Sequence, residues 1–298
     1  MTELITSAAN PLIKRVRLLG DRRHRRREGA FVVRGVQPVW QAVEAGADIE
    51  VLIVAPELLR DPAAAMVAER EARGVRVARL SGELFGRIAD RDGPAGLAAI
   101  VKRRLAGLAD LAVRPSSVFV ALHEVANPGN LGTIIRTADA ARAAGVILVG
   151  PCTDPFDPVA VKASMGAVFG VPVAAEAAPG EFVRWCRENG IAVAVTSGAT
   201  SGATSGAEPE PAAGSGSGAG PGPGSRSAAG PGSGSLWDTA LPAPLAILLG
   251  SEGAGLPGDL LAAGDLRLRI PMTGTAESLN LAVAAGVLLY EAWRQLRP

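Results

Sequence analysis

Cysteine is almost missing from this 298-residue chain. Cys152 and Cys186 are the only two, and no Cys-x-x-Cys spacing occurs. That excludes a disulfide framework and a zinc knuckle, and it fits a reducing compartment. Histidine is as scarce: His24 lies inside a basic run and His123 at the end of an apolar one. Neither position suggests a catalytic histidine, and no metal-ligand cluster is visible in the sequence. Long apolar runs are also lacking. Mean hydropathy is +0.25, but alanine and valine supply it, and glycine, proline or charge cuts every run short of a membrane span. No apolar segment with a small-residue cleavage site follows the initial Met-Thr-Glu-Leu. These absences predict a soluble, cytoplasmic protein without a membrane or metal partner.

What the chain does have is basic charge gathered at one end. Residues 1–105 hold 19 Lys+Arg against 13 Asp+Glu, whereas the remainder holds 11 against 16. A net charge of +1 therefore hides an N-terminal third that attracts polyanions. Its densest stretch is Asp21-Arg22-Arg23-His24-Arg25-Arg26-Arg27. Taken alone, this is either a solvated loop or a phosphate-binding surface.

Helix-like and strand-like patterns alternate along the chain, which predicts an α/β fold. Asn10 to Leu19 reads as a short basic helix. Strands are expected at 31–33, 49–55, 75–80 and 97–101, with helices at 36–45 and 63–73. This first unit is expected to occupy residues 1–105. A second α/β unit, 106–298, has expected strands at 118–122, 146–149, 191–195 and 245–249. Its expected helices are 131–144, 159–168, 179–189 and 278–296. Residues 197–235 interrupt it with Ser-Gly-Ala-Thr and Gly-Pro-Gly-Ser runs. With almost no large apolar side chains to offset the entropy of ordering, this insert is expected to be disordered.

Three clusters in the second unit follow apolar runs. The first is Asn127-Pro128-Gly129-Asn130-Leu131-Gly132-Thr133-Ile134-Ile135-Arg136, with Asn130 expected as a helix N-cap and Arg136 two turns further on. The second is Gly250-Ser251-Glu252-Gly253-Ala254-Gly255, whose glycines would let the backbone approach a ligand. It matches neither a dinucleotide fingerprint nor a P-loop. The third runs from Ile270-Pro271-Met272 to Ser278-Leu279-Asn280, at the start of an apolar helix. Taken singly, each also fits an ordinary turn, a surface arginine or a helix cap.

In this order and together, the clusters resemble the three signature motifs of SpoU/TrmH RNA methyltransferases. The likeness covers about 118–195 and 236–296. The N-terminal third is similar to the L30e-like substrate-binding domain that precedes many such enzymes, through Asn10-Pro11-Leu12-Ile13-Lys14, Phe31-Val32-Val33-Arg34-Gly35 and Gly96-Leu97-Ala98-Ala99-Ile100. Those relatives usually carry Glu where this chain has Arg34.

The resemblance implies a mainly parallel α/β domain whose C-terminal segment is threaded into a trefoil knot, and a homodimer with the site near the subunit interface. It implies transfer of a methyl group from S-adenosylmethionine to a ribose 2′-hydroxyl. Gly250, Ile270, Met272 and Leu279 match cofactor-binding positions. Arg136 matches the group that accepts the hydroxyl proton or stabilises the forming alkoxide. Asn130, Glu252, Ser278 and Asn280 match the polar positions that orient Arg136, the ribose and its phosphate. A guanidinium normally stays protonated, so the two roles for Arg136 remain open. Ribosomal RNA is the expected substrate, with transfer RNA as the alternative. A catalytically silent RNA-binding protein of the same fold is the alternative of a different class. Arg22, Arg23, Arg25, Arg26 and Arg27 are expected to contact RNA phosphates. With one tyrosine in the chain, base stacking should be limited. Trp40, Trp185 and Trp293 are expected to be packing residues.

Overall fold

The computed structural model describes residues 4–89, 95–196 and 233–296. In its first part, Asn10 caps α1 (Pro11–Leu18): the Asn10 Oδ1 accepts from the Leu12 nitrogen at 2.9 Å, and Pro11 opens the first turn. The basic run is not a loop. Asp21 caps α2 (Arg22–Glu28), and Gly29 ends it at φ +63°. There follow β1 (Ala30–Arg34), α3 (Val36–Glu44), β2 (Ile49–Val54), α4 (Asp61–Ala72), β3 (Val77–Arg79), α5 (Gly82–Gly86) and β4 (Leu97–Lys102). The strands form one sheet in the order β1-β4-β2-β3, with β4 antiparallel to both neighbours. Leu12, Ile13 and Val16 of α1 bury against one face, and Val39, Met66 and Val67 of α3 and α4 against the other. Arg34 is structural here: its Nε donates to the Ile88 carbonyl at 2.8 Å.

The second part contains β5 (Val118–His123), α6 (Pro128–Ala140), β6 (Gly145–Val149), α7 (Pro158–Ser164), β7 (Val173–Ala177), α8 (Pro179–Glu188) and β8 (Ala192–Thr196). After the undescribed stretch come β9 (Ser233–Ser235), β10 (Leu245–Leu249), α9 (Gly258–Ala263), β11 (Leu266–Arg269) and α10 (Leu281–Leu296). The sheet order is β7-β6-β5-β10-β8-β11-β9, and every neighbouring pair is parallel. β6 and β10 are buried along their whole length, as continuous apolar strands covered on both faces must be. Gly132 lets α6 and α7 cross closely, because a Cβ there would overlap the Ala160 carbonyl and lie 2.7 Å from the Ala163 Cβ.

Several boundaries differ from the sequence expectations. The helix expected over 159–168 stops at Ser164, where Met165 and Gly166 adopt φ of 52° and 95°, and a 3-10 turn Ala167–Phe169 follows. The last helix starts at Leu281 instead of Ser278. The expected disorder of 197–235 falls on residues outside those described, except for its last three, which form β9 against β11. Trp293, expected to pack, is 42% exposed and meets the Tyr290 ring edge-on at 6.2 Å between centroids. No helix among the described residues is long and apolar enough to cross a membrane.

The two parts meet over a mixed core. Phe31 of β1 packs against Phe156 at 4.5 Å and Phe169 at 5.9 Å between ring centroids. Beside them, Arg25 is 1% exposed. Its Nε donates to Asp154 at 2.9 Å, one terminal nitrogen lies 3.4 Å from Asp157, and the other reaches the carbonyls of Leu19 and Gly20. Arg103 adds a second cation, 3.6 Å from Asp154 and stacked 5.1 Å over the Phe156 ring. Arg25 therefore joins the two parts, and the expectation that it contacts RNA phosphate is corrected: its donors are engaged inside the protein.

Candidate active site

In an open parallel α/β sheet, ligands sit outside the carboxyl ends of the strands, where successive connections leave in opposite directions. Here the chain moves from β5 to β6 and β7 on one side, while β10, β8 and β11 lie on the other. A cleft of about 570 Å³ opens at the ends of β8, β10 and β11. That is within the size range of small-molecule sites. Its floor is apolar, with Leu249, Leu268 and Leu288, and its rim carries Glu252, Arg269, Glu277, Ser278 and Asn280. Gly250, Ile270, Met272 and Leu279 all line it, so the structure brings together every residue expected to touch cofactor.

The loop after β10 shows why glycine is needed. A Cβ on Gly250 would lie 2.6 Å from the Leu256 nitrogen and closer still to Gly255, whose own φ is +67°. Ser251 and Gly255 bridge, the Gly255 N–H donating to the Ser251 carbonyl at 3.1 Å. The loop is thus a tight turn with a left-handed residue, and it also presents its backbone to the cleft.

The polar rim ties the three clusters together. Asn127, not Asn130, caps α6: its Oδ1 accepts from the nitrogens of Gly129 at 2.8 Å and Asn130 at 3.2 Å. Asn130 is the third residue of the helix, where its side chain is available. Its Nδ2 donates to Glu252 at 2.8 Å, and its Oδ1 accepts from the Asn280 Nδ2 at 3.1 Å. Asn280 in turn caps α10, accepting from the nitrogens of Ala282 and Val283 at 2.9 and 3.4 Å. The direction of the whole chain follows from that cap. Asn280 must turn its oxygen to the helix, so it can only donate to Asn130, and Asn130 must then donate to Glu252. The terminal acceptor is the Glu252 side-chain oxygen Oε1. Asn280 is therefore both a helix cap and a member of the site.

Arg136 is placed differently. It is exposed on α6, does not line the cleft and makes no hydrogen bond or ion pair among the described residues. Its neighbour Thr137 faces Gly286 of α10, where a Cβ would lie 3.6 Å from the threonine methyl, so Arg136 sits beside the α6–α10 seam. Of the arginine run, Arg22, Arg23, Arg26 and Arg27 are exposed. Arg22 also donates to the Cys152 carbonyl at 3.1 Å. Neither cysteine is poised as a nucleophile. Burial pushes both thiols up, Cys186 to about 12. Arg103 and the acidic pair Asp154 and Asp157 escaped sequence reading; the Asp-Pro-Phe-Asp-Pro stretch was their only signal.

The SpoU rRNA methylase family profile matches residues 117–290, and that of an MRM3-like substrate binding domain matches 10–99. The chain is similar to a 23S rRNA (uridine(2479)-2′-O)-methyltransferase of Streptomyces viridochromogenes, at 30% identity over 93% of this chain and 87% of that protein. It is 27% identical to a 23S rRNA (guanosine(2553)-2′-O)-methyltransferase of Bacillus subtilis, over 96% and 97% of the two chains. Among solved structures, an AdoMet-bound rRNA methyltransferase from Sinorhizobium meliloti superposes with a TM-score of 0.81 at 35% identity, covering 100% of this chain and 99% of the other.

Proposed function

This chain belongs to the SpoU rRNA methylase family, and on that premise we propose that it methylates a ribose 2′-hydroxyl of ribosomal RNA with S-adenosylmethionine. The observation that carries this reading is the hydrogen-bonded chain from Asn280 through Asn130 to Glu252, which joins three distant motifs at the mouth of one cleft. The cleft suits the cofactor. Among the described lining residues Glu252 and Glu277 outnumber Arg269, a balance that favours a positively charged sulfonium, and the glycine loop offers backbone groups to an adenosine. When bound, S-adenosylmethionine supplies an electrophilic methyl group, and the attacking hydroxyl must lose its proton.

Gly250, Ile270, Met272 and Leu279, which line the cleft, would hold the cofactor. Asn130, Glu252, Ser278 and Asn280 orient the ribose, the fixed hydrogen-bond direction removing the freedom that would otherwise cost rate. Arg136 either accepts the hydroxyl proton or stabilises the developing alkoxide electrostatically. Residues 1–105 serve as the substrate-binding domain and 106–298 as the catalytic domain, threaded as a trefoil knot. Arg22, Arg23, Arg26 and Arg27 supply phosphate contacts.

A homodimer completes the reading. Val283, Tyr290 and Trp293 of α10 are 53%, 50% and 42% exposed, and their spacing puts them on one helix face. A second copy would cover this stripe and bring its own α6–α10 seam, with Arg136, to the interface. Its cysteine-poor composition fits action in a reducing cytoplasm.

The test is methyl transfer from labelled S-adenosylmethionine to purified 23S rRNA and to bulk tRNA in parallel. Label is expected in 23S rRNA only. Label confined to tRNA would replace the substrate, and none in either RNA would favour a silent RNA-binding protein.

A further inference from the structure

A second cleft, of about 550 Å³, lies between the two parts of the molecule and plays no role in the chemistry above. One wall carries Arg22 and Arg26 of α2 with Arg103 after β4; the other carries Gly150, Thr153 and Ala178, beyond the ends of β6 and β7. Arg22 is tethered by one hydrogen bond to the Cys152 carbonyl, which fixes its guanidinium at the mouth while other N–H donors remain for a ligand. Asp154, the buried acid among the described lining residues, is already engaged by Arg25 and Arg103, so it does not oppose an anion entering.

The position of this cleft gives it meaning. All strands of the larger sheet run parallel, so the ends of β6 and β7 lie on the same edge as those of β10, β8 and β11. Only β5 separates β6 from β10. Two strand spacings are roughly 10 Å, a distance that a few nucleotides span. Resting on the methyltransferase reading, we propose that the cleft between the two domains holds the sugar–phosphate backbone of the substrate RNA a few nucleotides from the methylated ribose. Arg22 and Arg26 grip the phosphate, and Arg103 stiffens the wall behind them. No aromatic side chain is among the described residues that line it, so the grip is on backbone and not on a base.

The test titrates the full-length protein against a short fluorescein-labelled single-stranded oligoribonucleotide at increasing salt. Cofactor affinity and methyl transfer to rRNA are measured alongside. Arg22→Ala/Arg26→Ala should weaken binding roughly tenfold near physiological salt and flatten the log–log salt slope by about 1.4, or about 0.7 per lost contact to a single strand. Ala178→Glu places a carboxylate on the opposite, exposed wall and should weaken binding comparably, whereas Ala178→Gln should not. Cofactor affinity should hold in all three. Parental binding and slope in Ala178→Glu would overturn the cleft assignment and leave the methyltransferase reading intact. Weakened binding in a protein whose parent transfers no methyl group would support the cleft and sink that reading.

Discussion

Arg136→Ala is expected to lower methyl transfer at least about 100-fold, the usual cost of removing a group that stabilises charge in a transition state. Binding of S-adenosylmethionine, measured by calorimetry, should stay within about twofold, because the cleft is walled by the loops after β10 and β11 and Arg136 is not among its lining residues. The split separates chemistry from cofactor binding. Arg136→Lys adds a further distinction. If the role is electrostatic, a lysine restores part of the rate; if the guanidinium itself must accept the proton or grip a phosphate through its fork, it restores little. An Arg136→Ala protein with half the parental turnover would remove this residue from the mechanism.

The second large effect concerns stability. Arg25→Ala should cost about 3 to 5 kcal/mol in denaturant unfolding, the range for breaking one half of a buried ion pair. The substitution leaves Asp154, which is 3% exposed, with the longer contact to Arg103 and the Phe156 N–H at 3.1 Å. It also removes the donor to the carbonyls of Leu19 and Gly20. The penalty comes from an uncompensated charge, so removing both charges is expected to be milder. Arg25→Met/Asp154→Leu should recover much of the loss, and the coupling energy from the double-mutant cycle measures the pair. Exposed Arg23→Ala should change stability by no more than about 0.5 kcal/mol. A loss below about 1 kcal/mol for Arg25→Ala would mean that the joint between the two parts does not depend on it.

The contrast between Arg25 and its neighbours shows where a sequence stops being legible. Five arginines in seven residues look equivalent along the chain. What sets Arg25 apart is an aspartate 129 residues away, and nothing local announces such a pair. The strands β5, β6 and β10 were readable because each is an apolar run of a length that only a buried strand satisfies. By contrast, β11 is Leu-Arg-Leu-Arg, too short and too charged to stand out, and β9 is Ser-Gly-Ser at the sheet edge. Their strand character comes from the neighbours they pair with, not from their own side chains.

The site was legible for a related reason. Gly250 is required by a turn too tight for a Cβ, Gly255 by its left-handed φ of +67°, and Asn280 by a helix end, so local backbone chemistry marks them. The exchange between Asn127 and Asn130 has a simple cause. Both are good caps, but proline favours the first helical position, so Pro128 assigns the cap to the residue before it. Asn130 was then left to reach across to Glu252, a contact spanning 122 residues that no local pattern reports. Arg136 was readable only by resemblance, and its place beside the α6–α10 seam is what the structure adds.

The central claim is that the acceptor is a ribose 2′-oxygen, and alkaline hydrolysis tests it most directly. A methyl group on that oxygen removes the nucleophile that cleaves the adjacent phosphodiester, whereas a methyl on a base leaves it in place. In 23S rRNA treated with this protein and labelled S-adenosylmethionine, the account predicts that the label survives alkali in an uncleaved dinucleotide. Label released in single nucleotides would place the methyl on a base and contradict the account.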